Sequence, residues 1–339
     1  MRILVLGGTG FLGRAVVAEA LRRAGTVTTF NRGRSPLSDP RVTELVGDRL
    51  VAADLAPLAD GHWDVVVDTW AGAPCAAATS AGLLAAHADR YVYVSSGSVY
   101  APPPRIGGDE SAPTVDASPV AGDGEYPARK RGAELAVEAA FGERAILARA
   151  GLILGPHEDV GRLPWWLLRL DRGGEVLAPG PPELELQYVD ARDAAAWMLD
   201  VAAAGGSGAY NMVSRTGHAT MGSLLEAGLR ATDGDRDGDG DASLTWVDPA
   251  FLDDRGIEAW TELPIWLPAA HEYRGMHHAD VSRAHAAGLR CRPLTDTVAD
   301  TWAWLLSVGK VPALRSDLPA PGLAPARERA ALAAWHAQA

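Results

Sequence analysis

Seven residues near the start of the chain, Gly7-Gly8-Thr9-Gly10-Phe11-Leu12-Gly13, restrict the possible folds more than any other segment. They follow an apolar run at 2–7 and open a stretch at 11–24 in which Leu12, Val16, Val17 and Leu21 share one helical stripe. The segment satisfies G-x-x-G-x-x-G from Gly7 and G-x-G-x-x-G from Gly8. Either pattern alone is weak. A strand, a tight turn and a helix, in that order, is the setting that gives it meaning. Glycines permit the turn and let backbone N–H groups approach a pyrophosphate, while the helix adds its positive end. Gly7, Thr9, Gly10, Phe11, Leu12 and Gly13 are therefore candidate dinucleotide contacts. The competing reading is a plain tight βα turn.

The rest of the first 150 residues keeps the same rhythm. Short β-branched runs at 26–30, 42–46, 64–68, 91–95 and 145–153 read as strands, and 76–88 and 127–141 as helices. Alternation of this kind makes a parallel sheet covered on both faces, a doubly wound Rossmann-type α/β fold. After Gly155 tryptophan and proline become common. A strand at 184–189, a helix at 191–204 and a strand at 209–213 suggest a return to the first sheet. The expected organisation is a dinucleotide-binding domain at 1–155, joined by segments near 184–214. A smaller mixed α/β substrate lobe follows at 156–313, then a proline-rich linker and tail at 314–339.

The second strand ends in Phe30-Asn31-Arg32-Gly33-Arg34. A site for NAD usually carries an acid here, which holds the adenosine ribose hydroxyls. Asn31 is neutral, and Arg32 and Arg34 can neutralise a 2′-phosphate, so the pattern favours NADP(H), with NAD the alternative. Asp48 and Arg49, after the third strand, fall where an adenine is bound, with Asp48 accepting from its amino group.

Composition sets limits on partners. The 339 residues carry a net charge of −12, which disfavours a nucleic-acid partner. Residues 1–150 hold 15 basic and 17 acidic side chains, so the front half is close to neutral and suits a local anion site. Two cysteines form neither a disulfide framework nor a metal cage. The uncharged stretch 69–88 is mostly alanine and reads as a buried helix rather than a membrane span. A cytoplasmic location follows as an expectation, with no membrane partner.

Only two of the 31 basic residues are lysine, Lys130 and Lys310. Lys130 closes Tyr126-Pro127-Ala128-Arg129-Lys130, a Tyr-x-x-x-Lys whose spacing puts both side chains on one helical face. Pro127 suits a first helical turn. Tyrosine normally titrates at about 10. A neighbouring ammonium and a helix N-terminus both favour the phenolate, so Tyr126 can exchange a proton with an alcohol or ketone. Upstream, Tyr91–Tyr100 is an apolar strand that ends in Ser95-Ser96-Gly97-Ser98, and Ser96 or Ser98 can bond a substrate oxygen. The bland readings are a surface tyrosine beside a solvated lysine, and ordinary turn serines.

Together these segments resemble the extended short-chain dehydrogenase/reductases, the NAD-dependent epimerase/dehydratase family. Arg149–Pro156, Gln187–Asp193 and the closing helix with Asp296, Thr297 and Trp304 add to the likeness. The resemblance implies that Ser96 is the catalytic hydroxyl and Tyr126 the general acid/base. Lys130 would also hold the nicotinamide ribose, and a homodimer would form through helices 76–88 and 127–141. Two departures matter. Leu152 stands where the sugar-nucleotide epimerases typically carry asparagine. Gly97-Ser98 stands where the 4,6-dehydratases carry Asp-Glu. The resemblance therefore points to a reductase-like member acting on a carbonyl or alcohol of a small molecule. The alternatives are a sugar-derivative epimerase or dehydratase with tightly bound NAD, and a non-catalytic cofactor-binding regulator.

Three further signals carry less. Asp233–Asp241 resembles the start of a calcium loop, but position twelve is Leu244, and an acidic disordered loop fits better. His277-His278 suggests a loop or rim rather than a metal site. Trp165, Trp166 and His157 suit either the substrate cleft or core packing.

Overall fold

The computed structural model describes residues 1–34, 39–234 and 241–338. The chain forms two compact units, each made of several segments. Residues 235–240 of the acidic segment lie outside the described residues.

The first unit comprises Met1–Gly151, Ala191–Val213 and Ala279–Cys291. Its strands are β1 (Arg2–Leu6), β2 (Thr26–Asn31), β3 (Val42–Val46), β4 (Trp63–Asp68), β5 (Ala88–Ser96), β6 (Ala145–Ala150) and the strand Gly208–Met212. All seven run parallel, in the order Gly208–Met212, β6, β5, β4, β1, β2, β3. The order reverses between β1 and β4, so the carboxyl ends of those two strands make the switch point where open sheets of this type bind ligands. Helices α1 (Phe11–Arg22), α2 (Pro74–Leu84) and α3 (Tyr126–Phe141) complete the unit with the helix Ala191–Ala203. The first packs on Ala191–Ala203, and α2 packs on α3.

Period-two alternation buries both sheet faces. Leu4, Leu6, Val66, Tyr91 and Tyr93 cluster with Ala77, Ala81 and Leu84 of α2 and Ala133 and Val137 of α3. The alternate residues Ile3, Val5, Val65, Val67 and Val92 are buried as well. At Gly132 an added Cβ would lie 2.5 Å from the Ser118 carbonyl and 2.8 Å from the Pro74 ring, which is why α3 needs glycine there. The long strand expected at 145–153 breaks at Gly151, where a Cβ would meet Val213 at 2.8 Å. Pro74 starts α2 two residues earlier than its alanine run suggests.

The second unit comprises Leu152–Asp190, Ser214–His278 and Arg292–Ala339. Leu152–Leu154 pairs in parallel with Tyr188–Asp190, and Gly174–Pro179 with Ala242–Val247. Residues 184–190 thus belong here and not to the first sheet, because Leu184, Leu186 and Tyr188 are part of this unit's core. Trp166, Trp266 and Trp302 fill that core with Leu167, Leu170, Leu224, Leu225 and Leu305. Tryptophan richness in this half is therefore largely packing. The tail is a correction. Residues 314–339 are no linker: Leu323, Ala331 and Leu332 join the core, and Glu328 in the helix Pro325–His336 pairs with buried Arg169 at 2.6 Å.

Candidate functional site

The glycine loop leaves β1 with two residues in the positive-φ region, Gly7 at 116° and Gly8 at 98°. Gly7 N–H donates to Phe30 O at 2.9 Å, and Arg14 Nε to Thr9 O at 2.8 Å, which fixes the loop from both sides. A Cβ on Gly13 would lie 2.6 Å from Gly8 N, so α1 can cross the loop only with glycine there. Gly10 is the N-cap. Among the described residues no side chain caps α1, and its first turn carries no acid. Its leading N–H groups are thus left for an anion. A dinucleotide pyrophosphate fits this cradle on local geometry alone.

At the end of β2, Asn31 Oδ1 accepts from Gly33 N–H at 2.7 Å, and the Asn31 carbonyl accepts from Gly47 N–H at 3.0 Å. Asn31 thus shapes the β2 and β3 loops, and Arg32 and Arg34 follow it as exposed cations. Asp48 is half-buried, with Oδ1 accepting from Leu50 N–H at 3.0 Å.

Arg49 is not beside Asp48 as a second open ligand. Its guanidinium turns inward onto Asp68, at 2.7 and 2.9 Å, and donates to Ser80 Oγ at 2.6 Å. The placement does not support Arg49 as an open side-chain contact to an adenine: the guanidinium is buried, both terminal nitrogens are bonded to Asp68 and Ser80, and Nε, also buried, has no partner. Asp68 has no exposed surface. Burial pushes its carboxyl up, but Arg49, the Tyr91 hydroxyl at 2.6 Å and the Trp70 N–H at 2.9 Å outweigh that and hold it below the usual range.

The proton-transfer candidates stand at the ends of β5 and the start of α3. Ser96 closes β5 and caps the following turn, with Oγ accepting from Ser98 N–H at 3.1 Å. Helix α3 packs against that turn and against β5. It begins at Tyr126, whose side chain is 40% exposed, while Lys130 one turn on is 3% exposed. Lys130 Nζ donates to the Trp70 and Val94 carbonyls, both at 2.7 Å, and lies 4.9 Å from the Tyr93 ring centre. Helix α3 is itself anchored from below. Glu134 takes Arg149 of β6 in a two-pronged pair at 2.9 and 3.0 Å, and Arg149 also reaches the Tyr100 hydroxyl at 3.2 Å.

Asp68 and Trp70 escape a motif search. Their one sequence signal is an acid that closes the apolar run Val65–Val67. In the second unit His157 has φ 70° and its ring is 5.3 Å from that of Trp304. His277 is a core group and not a rim residue: Nδ1 accepts from Gln187 N–H at 3.1 Å and Nε2 donates to Ile265 O at 3.0 Å. Burial lowers its pKa to about 4. Among the described residues no group of His, Cys, Asp and Glu could hold a metal ion. No described helix is long and apolar enough to cross a membrane.

Comparison with known proteins adds three findings. The profile of the NAD dependent epimerase/dehydratase family matches residues 3–212. A 3-beta-hydroxysteroid dehydrogenase of Mycolicibacterium neoaurum is 37% identical over 78 residues, 21% of each chain. The chain thus spans about a fifth of the length of that curated relative. Among solved structures, the Bordetella bronchiseptica enzyme WbmH in complex with NAD+ superposes with a TM-score of 0.67 at 18% identity, covering 91% of this chain and 99% of that one. UDP-glucose 4-epimerase of Thermotoga maritima with UDP-glucose gives 0.64 at 17% identity, covering 91% and 99%.

Proposed function

Because the chain belongs to the NAD dependent epimerase/dehydratase family, we propose that it is an NADP(H)-dependent oxidoreductase for a carbonyl or alcohol carbon of a small molecule. One observation carries this reading. A half-exposed Tyr126 and a buried Lys130 stand one turn apart on α3, and Lys130 Nζ bonds the carbonyl of Trp70, whose chain neighbour Thr69 borders Gly7 of a glycine cradle that suits a dinucleotide. The bound cofactor would supply or take up the hydride. Everything else falls to the chain's own groups. In the reducing direction Ser96 Oγ donates to the substrate carbonyl oxygen and orients it. Tyr126 gives its hydroxyl proton to the same oxygen as charge develops there. The Lys130 ammonium stabilises the phenolate that remains. In the oxidising direction each proton step reverses.

Preference for NADP rests on Arg32 and Arg34, which are exposed cations next to Asn31, with no acid at the end of β2. The family includes NAD-dependent members, and WbmH was solved with NAD+, so the choice is open to direct test. Titration calorimetry should give tighter binding of NADP+ than of NAD+. Arg32→Ala should weaken NADP+ by roughly tenfold or more, the worth of one charge-assisted hydrogen bond, and leave NAD+ unchanged. Equal affinities would remove the preference.

A sugar-nucleotide epimerase is disfavoured by Leu152, which is buried in the core of the second unit and offers no polar group. The curated relative makes a 3-ketosteroid a rational first probe in a panel of aldehydes and ketones. Net consumption of NADPH with any of them supports the reading. Release of bound NAD on denaturation, with no net redox turnover, would instead favour the epimerase.

A further inference from the structure

Arg49 is buried and bonded to Asp68 and Ser80. We propose that it is a positioning residue for the Tyr126–Lys130 pair, acting through Asp68 and Trp70 on the carbonyl that holds the Lys130 ammonium. What the pair does rests on the function proposed above; where the ammonium sits does not.

The chain of contacts is short and each link is directional. The Arg49 guanidinium bonds both Asp68 oxygens and Ser80 Oγ, and its carbon lies 4.7 Å from the centre of the Trp70 ring. Asp68 in turn accepts from the Trp70 N–H at 2.9 Å. The indole Nε1 donates to Ala73 O at 2.8 Å, which closes the turn after β4. Gly72 makes that closure possible, since a Cβ there would lie 2.5 Å from the indole. The Trp70 peptide is thus held at its N–H by Asp68, at its ring by Arg49 and at its carbonyl by Lys130 Nζ and the Tyr93 hydroxyl.

Of the two carbonyls that hold Lys130, Val94 belongs to the central strand β5 and is fixed by the sheet. Trp70 lies in a turn, so its carbonyl needs another device to fix it. Stability alone is a weak reason to bury an arginine and an aspartate, because an apolar pair of the same volume often does as well. A need to aim one carbonyl is a better reason. A forked cation and a buried carboxylate add directional bonds to what packing supplies, and so can aim a peptide dipole.

The rarity of lysine makes the test direct. In protein labelled with 15N-lysine the ammonium spectrum contains two side-chain signals, Lys130 and Lys310, and Lys310→Arg assigns them. Arg49→Gln should displace or broaden the Lys130 signal while Lys310 stays in place. Should Arg49→Gln not fold, Arg49→Lys keeps the charge but loses the fork. It should displace Lys130 as well, and its own new signal is identified by difference. An unmoved Lys130 signal in either folded variant overturns the proposal. NADP+ binding separates positioning from direct contact. Its Kd should stay within a few-fold of wild type in Arg49→Lys, while turnover with an active carbonyl falls about tenfold to a hundredfold, the scale of a misplacement near 1 Å. A weakened NADP+ Kd with Lys130 unmoved would return Arg49 to the cofactor contacts. Failure of the function reading is a different result: full turnover by Tyr126→Phe would end it and leave the Lys130 measurement standing.

Discussion

Lys130 Nζ donates to the main-chain oxygen of Trp70 at 2.7 Å, and so ties the helix that begins at Tyr126 to the turn that closes β4. Lys130 as a whole is 3% exposed. At that depth its charge acts more strongly on its neighbours than it would in water.

Lys130→Met should keep the fold and lose most turnover, by about 10²–10⁴-fold in kcat, the usual contribution of positioned acid–base groups. Steady-state kinetics on the best carbonyl of the panel checks this. Lys310→Arg is the control, since Lys310 pairs with Asp171 in the second unit and takes no part in the site.

Gly13→Ala tests the cradle. The added methyl would meet Gly8 N at 2.6 Å, and backbone cannot move aside as a side chain can. We expect a stability loss of about 1–3 kcal/mol, with a larger loss of dinucleotide affinity, read by thermal melting and calorimetry. Unchanged NADP+ binding would mean that the loop tolerates a wider turn than its φ angles indicate.

Glu158 gives the second unit a pH-dependent stability. It is fully buried and accepts from the N–H groups of Arg162 and Leu163 at 2.7 and 3.2 Å. Burial pushes its carboxyl up from 4.5 to about 7. Between those values the folded state binds more protons than the unfolded one, so stability falls as pH rises. The contribution is complete below about pH 4.5 and lost above about pH 7, and amounts to about 3 kcal/mol. His277 has the opposite sign, since its lowered pKa removes stability as pH falls from 6.5 toward 4. A comparison with Glu158→Gln isolates the first effect. Urea midpoints of wild type and variant should diverge across this range, and parallel profiles would count against a buried, uncharged Glu158.

Glu328→Ala tests the tail. It leaves Arg169 buried without its carboxylate and frees the Leu177 N–H, which Glu328 Oε1 accepts at 3.2 Å. Removing one partner of a buried ion pair costs about 3–5 kcal/mol. Melting of the variant, and of a chain ended after residue 313, should show a large loss in both. Wild-type stability of the shortened chain would restore the tail to the status of a linker.

Local patterns were legible in the sequence and long-range pairings were not. The glycine loop and Tyr126–Lys130 are set by neighbours within one turn, so spacing alone reveals them. The parallel sheet follows from alternating strand and helix patterns. Arg49 follows β3, a position that suggests a ligand, while its partner Asp68 is 19 residues on at the end of β4, separated from β3 by β1 and β2 in the sheet. Glu328 and Arg169 are 159 residues apart, and a proline-rich stretch hid the connection. His277 is fixed by Gln187 and Ile265, 90 and 12 residues away, and nothing adjacent to it in sequence announces burial.

In the proposed reaction Tyr126 moves the proton. The measurement that tests it most directly is kcat of Tyr126→Phe with NADPH and the best carbonyl of the panel, with NADP+ affinity measured alongside. Turnover should be lower by about 10²–10⁴-fold, with an NADP+ Kd close to wild type. Full turnover by the folded variant would contradict that role.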